Sequence, residues 1–148
     1  MKIETILVAT DFSDTAKKAM DTAIDMARHF EAQLVILHAY NVEIPIASPM
    51  MTGGYILPDG FFEEIGKQAR LQVEAAAKEV SDKGVAAVGV AIDEPAALAI
   101  VDEAKRRNAD MIVMGTRGLT GIKHMALGSI ADKVVRTAPC PVLTVGHD

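Results

Sequence analysis

Ile6-Leu7-Val8-Ala9-Thr10-Asp11-Phe12-Ser13 is four apolar residues in a row, a polar turn, and then a residue suited to capping a helix. Continuous rather than alternating apolarity fits a strand buried on both faces, as in a parallel sheet. Ser13 is placed to cap a helical stripe of Ala16, Ala19, Met20, Ala23, Ala27 and Phe30, with Lys17, Lys18, Asp21, Asp25 and Arg28 outside it. A buried strand running straight into a capped amphipathic helix is the first half of a βαβ unit.

The same pairing recurs to the end of the chain. Leu34–Leu37, Val85–Ile92, Met111–Met114 and Val142–Val145 are further apolar runs, and their β-branched content favours strand over helix. Between them, Phe62, Ile65, Ala69, Val73, Ala76, Ala77 and Val80 form a second helical stripe, stopped by Gly84. Pro95 fits the first turn of a third helix whose inner face is Ala97, Ile100, Val101 and Ala104. The acids Asp93 and Glu94 read as a charge pair at the start of that helix. Ser129–Thr137 reads as a fourth helix, ending before Pro139. The order βαβαβαβαβ predicts an α/β fold: a doubly wound, five-stranded parallel sheet, Rossmann-like, with helices on both faces and right-handed crossovers. Ligands of such sheets bind at the carboxyl ends of the strands, where strand order reverses.

With 148 residues the chain is expected to form one domain over 1–148. The connection from Asn41 to Gly60, rich in Pro and Gly, reads as a flap or a loop folded over the second helix. Fifteen basic against 20 acidic residues give a net charge of −5, which argues against nucleic-acid binding. Four Phe, two Tyr and no Trp leave little for a base-stacking platform. No apolar stretch approaches the roughly 20 residues that span a bilayer, and the start of the chain does not resemble a signal peptide. A soluble, cytoplasmic protein without a membrane or nucleic-acid partner is therefore expected. Cys140 is the single cysteine, which excludes an intrachain disulfide; between two prolines, it reads as an apolar structural thiol.

The chemistry points to the segment after the fourth strand, which carries glycines at 115, 118, 121 and 128 and enters a helix at Ser129. Glycine lets backbone N–H groups approach an anion closely, and a helix N-terminus adds free N–H donors with partial positive charge. That is the design of a phosphate site. A plain turn, with Ser129 as helix cap, is the competing reading of the same residues.

Gly115-x2-Gly118-x9-Gly128-Ser129 resembles the ATP-binding signature G-x2-G-x9-G-[ST] of the universal stress protein family. Ile6–Ser13 resembles that family's opening strand and loop, although Ala9 stands where many relatives have Pro. Ala138-Pro139-Cys140-Pro141-Val142-Leu143-Thr144-Val145 resembles its closing strand. The resemblance implies strand order 3-2-1-4-5 and an ATP-binding stress-response regulator with Mg²⁺ at the phosphates. It implies that Thr10 and Asp11 lie at the nucleotide, with Asp11 on the ribose, and that the backbone of Ala39 reads adenine. Met114 packs in the strand near the base, and Gly115 and Gly118 line the ribose and phosphates. Gly128, Ser129 and the N–H of Ile130 hold the outer phosphates. Arg117 and Lys123 are candidate charge partners, and Asp11 or Ser129 candidate neighbours of the metal. His38 reads as a packed or loop histidine. The edge strand Pro141–Val145 is expected to pair with a second copy across a two-fold axis.

No general base is evident, so catalysis beyond a weak ATPase or autophosphorylation is not expected. Other readings are a dimer of this family that binds no nucleotide, a nucleotide-cleaving enzyme on a similar sheet, and a phospho-acceptor receiver domain. The last lacks its lysine after the fifth strand.

Overall fold

The structure, a computed structural model, describes residues 1–41, 58–117 and 127–146. Its elements run β1 (Thr5–Ala9), α1 (Asp14–Phe30), β2 (Gln33–Tyr40), α2 (Phe61–Asp82), β3 (Ala87–Asp93), α3 (Ala96–Arg106), β4 (Met111–Gly115), α4 (Ser129–Thr137) and β5 (Val142–Val145). All strand pairs are parallel, and the order is β3-β2-β1-β4-β5, as expected. β1 lies in the middle: Ile6 pairs with Leu34 on one side and Met111 on the other, and Val8 with Ile36 and Val113.

Strand alternation divides the core into two layers. Ile6, Val8, Leu34, Ile36 and Val113 pack with α1 and α2, through Ala19, Ala23, Ala27, Val73 and Val80. Leu7, Leu37, Ile112 and Met114 pack with α3 and α4, through Ile100, Ala104, Ala131 and Val134. Right-handed crossovers require this split. The chain moves one way along the sheet through α1 and α2, and the other way through α3 and α4. The reversal falls between β1 and β4.

The helix boundaries follow local chemistry. The Ser13 hydroxyl accepts from Ala16 N–H at 3.2 Å and caps α1, and Glu31 closes the helix in a left-handed conformation. Several expectations need correction. Phe30, expected on the inner stripe, is 40% exposed at the last position of α1 and packs edge-on against His29. Phe62, also expected inside, is 48% exposed. At 22 residues, α2 is about 33 Å long. The seven residues of β3 span about 23 Å. α2 is therefore longer than the strand it covers, and Phe62 lies in its exposed first turn. β3 begins at Ala87 rather than Val85, which is buried in the turn after the left-handed Gly84. Pro95 is the N-cap of α3 and not part of its first turn, so Asp93 and Glu94 lie before the helix. Among the described residues, no helix is long and apolar enough to cross a membrane.

At Gly89, α2 lies directly on β3. A Cβ there would stand 2.6 Å from the Val73 carbonyl oxygen and 2.9 Å from its carbon. Backbone atoms inside a helix have little room to retreat. Gly89→Ala should therefore destabilise the fold by about 1–3 kcal/mol, read as a lower denaturant midpoint at unchanged slope. A midpoint equal to the wild type would show that the layers are looser than this contact implies.

Candidate functional site

Two loops leave neighbouring strands at the carboxyl end of the sheet, on either side of the strand-order reversal. The first follows β1. Thr10 N–H donates to Leu37 O at 2.9 Å, extending the ladder one residue beyond the strand. The Thr10 hydroxyl oxygen accepts from Phe12 N–H at 3.0 Å, and Asp11 Oδ1 accepts from Ser13 N–H at 3.0 Å. Two successive side-chain turns thus shape residues 10–13. Phe12 sits at φ 62°, a left-handed conformation rare for an aromatic residue. Its ring packs against His38 with centroids 4.8 Å apart. His38 Nδ1 lies 3.0 Å from the Thr10 carbonyl oxygen. The expectation of a packed histidine is met, with a specific loop as its partner.

The second loop follows β4. Thr116 N–H donates to Val145 O at 2.9 Å, and Gly128 N–H donates to Thr116 O at 2.7 Å. The last bond ties the two ends of the intervening segment together, so Gly115 and the start of α4 are neighbours. α4 begins at Ser129, as expected, but its N-cap is Gly128. Ser129 is therefore in the first turn and exposed, and does not cap the helix. Having no side chain, Gly128 offers nothing to the first-turn N–H groups of Ser129 and Ile130. Ile130 is exposed, Met114 is buried in β4, Ala39 is half-buried near the end of β2, and Arg117 is half-buried after β4. Gly118, Lys123 and residues 42–57 of the expected flap lie outside the described residues.

The glycines have structural reasons of their own. A Cβ on Gly115 would meet Thr15 Cγ2 at 2.8 Å, and one on Gly128 would meet Thr116 O at 3.0 Å. Both substituents would strike the protein's own atoms. Thr15, buried in the first turn of α1, is a neighbour of this site that no sequence pattern marked. Phe12 is another, because nothing in a phenylalanine signals a left-handed backbone.

The strongly held charges lie at the opposite end of the sheet. Asp110 Oδ2 accepts from Glu4 and Thr5 N–H, and these bonds hold its carboxyl below the usual range. Burial pushes Glu103 up, but hydrogen bonds from Arg106 and Arg107 outweigh it and hold the acid below its ordinary value. Burial, with Asp110 nearby, raises the Cys140 thiol above its ordinary value. Among the described residues no cluster of three or more His, Cys, Asp or Glu could hold a metal ion by itself.

The parallel sheet, its reversal between β1 and β4 and the two loops there define a doubly wound α/β protein, a class whose ligands bind at the carboxyl end of the sheet. The model of the "Universal stress protein family" matches residues 2–146, and the chain belongs to that family. It is 35% identical over 144 residues to universal stress protein YxiE of Bacillus subtilis, covering 95% of this chain and 97% of that one. Universal stress protein UspA from Lactobacillus plantarum superimposes with a TM-score of 0.76 at 24% identity, covering 98% and 99% of the two chains. Two further neighbours were solved with nucleotides. One is a universal stress protein in complex with cAMP (TM-score 0.67, 24% identity, all of both chains). The other is that from Archaeoglobus fulgidus in complex with dAMP (0.66, 22%, covering 98% and 99%).

The Gly115–Thr15 contact can be tested directly. Gly115→Ala should cost about 1–3 kcal/mol of stability. Thr15→Ser, which lacks Cγ2, should recover most of that loss in the double variant, measured as a double-mutant cycle in chemical denaturation. Strictly additive losses would refute the contact.

Proposed function

We propose that this chain is an adenine-nucleotide-binding regulatory protein of the universal stress family, taking ATP with Mg²⁺, and not a dedicated enzyme. The observation that carries this reading is the first turn of α4, where Gly128 leaves the N–H groups of Ser129 and Ile130 without a side-chain cap. Such a helix start favours an anion. It faces the same end of the sheet as Asp11, across the strand-order reversal. The cAMP and dAMP complexes of structural neighbours support an adenine nucleotide as that anion.

In this reading Gly128, Ser129 and Ile130 hold the outer phosphates through N–H groups and the Ser129 hydroxyl. Asp11 meets the ribose, Thr10 and Met114 flank the nucleoside, and Ala39 reads adenine through its backbone. Gly115, Arg117 and Gly118 line the path between. A carboxylate at Asp11 and a hydroxyl at Ser129 are oxygen donors of the kind Mg²⁺ accepts, and the ion keeps its remaining ligands from phosphate and water. His38 Nδ1 is engaged with Thr10 and Asp11 Oδ1 with Ser13, so neither atom is held ready to deprotonate water. Residues 1–148 act as one domain, in the cytoplasm.

The same reading includes a homodimer through β5. The carbonyls of Pro141, just before β5, and of Val145 accept from Ile112 and Thr116 N–H. By the two-residue period, the N–H groups of Val142 and Thr144 point to the open edge. All four β5 residues are half-buried.

Calorimetric titration of nucleotide-free protein with Mg²⁺ and ATP, ADP, AMP or cAMP tests the ligand. ATP should bind with Kd on the order of 10 μM. Asp11→Ala should weaken it by about 1.5–3 kcal/mol, roughly 10- to 100-fold. A folded wild type that binds none of the four would overturn the reading and leave a dimer acting through protein partners. For assembly, Thr144→Pro removes an outward-facing N–H and leaves the β4 ladder intact. Sedimentation should show a dimer for the wild type and a folded monomer for the variant; a dimer that survives the proline uses another face.

A further inference from the structure

We propose that His38 is the positioning residue of the nucleotide site, holding Asp11 in place from the neighbouring strand. The inference rests on the nucleotide reading above and assigns the site a part which that reading leaves open.

A carbonyl oxygen only accepts, so the 3.0 Å contact to Thr10 O requires a proton on His38 Nδ1. The same ring packs at 58° against Phe12, an arrangement favourable for aromatic pairs. His38 therefore grips the residue before Asp11 by its carbonyl and the residue after it by its ring. Those two contacts bracket the loop in which Phe12, an aromatic residue, adopts positive φ. A left-handed backbone at a non-glycine residue is costly and persists only where the surroundings over-determine it. Here the Thr10 hydroxyl, the Asp11 carboxylate and the His38 ring together do so. His38 lies on β2, paired with Ala91, so its Cα is set by the sheet. A side chain on a rigid strand thus fixes a carboxylate on a loop.

The test compares His38→Leu, His38→Asn and His38→Gln. The Asn amide nitrogen occupies the place of Nδ1, whereas the Gln amide reaches toward that of Nε2. His38→Leu and His38→Gln should weaken ATP about 10-fold. His38→Asn should recover most of that loss. In an Asp11→Ala background, His38→Leu should cost less than about 2-fold more, because its effect passes through Asp11. Full additivity in that cycle would overturn the proposal. Amide hydrogen exchange supplies a readout that needs no nucleotide. Phe12 and Ser13 should exchange at least about 10-fold faster in the Leu variant and recover protection in the Asn variant. Unchanged exchange in His38→Leu would overturn the positioning role even if the wild type binds ATP. Failure of the wild type to bind nucleotide, with the exchange pattern as expected, would sink the nucleotide reading alone.

Discussion

The parallel pairing of β1 on both edges is the constraint from which the remainder follows. Ile6, Leu7 and Val8 have no exposed surface: β2 and β4 flank them, and a helix layer covers each face. Complete burial of each such side chain is worth about 1.5–3 kcal/mol. A strand sealed in this way must become polar where it leaves the sheet. Its carbonyls and N–H groups then need partners that the ladder no longer supplies. Thr10, Asp11 and Ser13 provide them at the carboxyl end. The crevice loop is thus a consequence of how the central strand ends.

The two ends of the sheet have different chemistry. At the amino end, carboxylates are held by multiple donors: Asp110 by the backbone of Glu4 and Thr5, Glu103 by Arg106 and Arg107. These groups have their hydrogen-bonding capacity directed into the fold. At the carboxyl end the loops are shaped by short-range turns, a left-handed phenylalanine and an uncapped helix start. Charge that fixes architecture and the polar turns of the carboxyl end are separated by the length of a strand.

What could be read from the residues alone divides along the range of the interaction. The apolar runs other than the start of Val85–Ile92, the Ser13 cap and both ends of α4 are local features, and each lies where its pattern indicates. The strand order came from resemblance to relatives and agrees with the observed sheet. Phe30 and Phe62 mislead because a periodic stripe does not reveal where the opposing sheet stops. Ile24 and Glu103 are buried without having been marked, Glu103 because a charged side chain does not announce a buried position. At the crevice, the glycine spacing identifies the loop but not the reason for its glycines. Gly115 is small for Thr15 and Gly128 for Thr116 O, contacts that join residues far apart or across a loop. The contact of His38 with Thr10 is equally hidden, because it depends on a register between β1 and β2 that only the folded sheet displays.

α4 has nine residues, buries only Ala131 and Val134, and lies against α3 and β5. A helix of that length has little stability of its own and exists by virtue of its packing. Its two ends are therefore thermodynamically connected: an anion received at its first turn adds to its stability, and contacts that steady its flank or the adjoining β5 lower the ordering cost of receiving the anion. In the proposed reading linkage makes the relation reciprocal, so nucleotide occupancy and pairing along β5 would change each other's equilibrium by the same factor. In that reading a short helix whose first turn has no side-chain cap, set between the β4 loop and an open sheet edge, is a means of communication because it is weak.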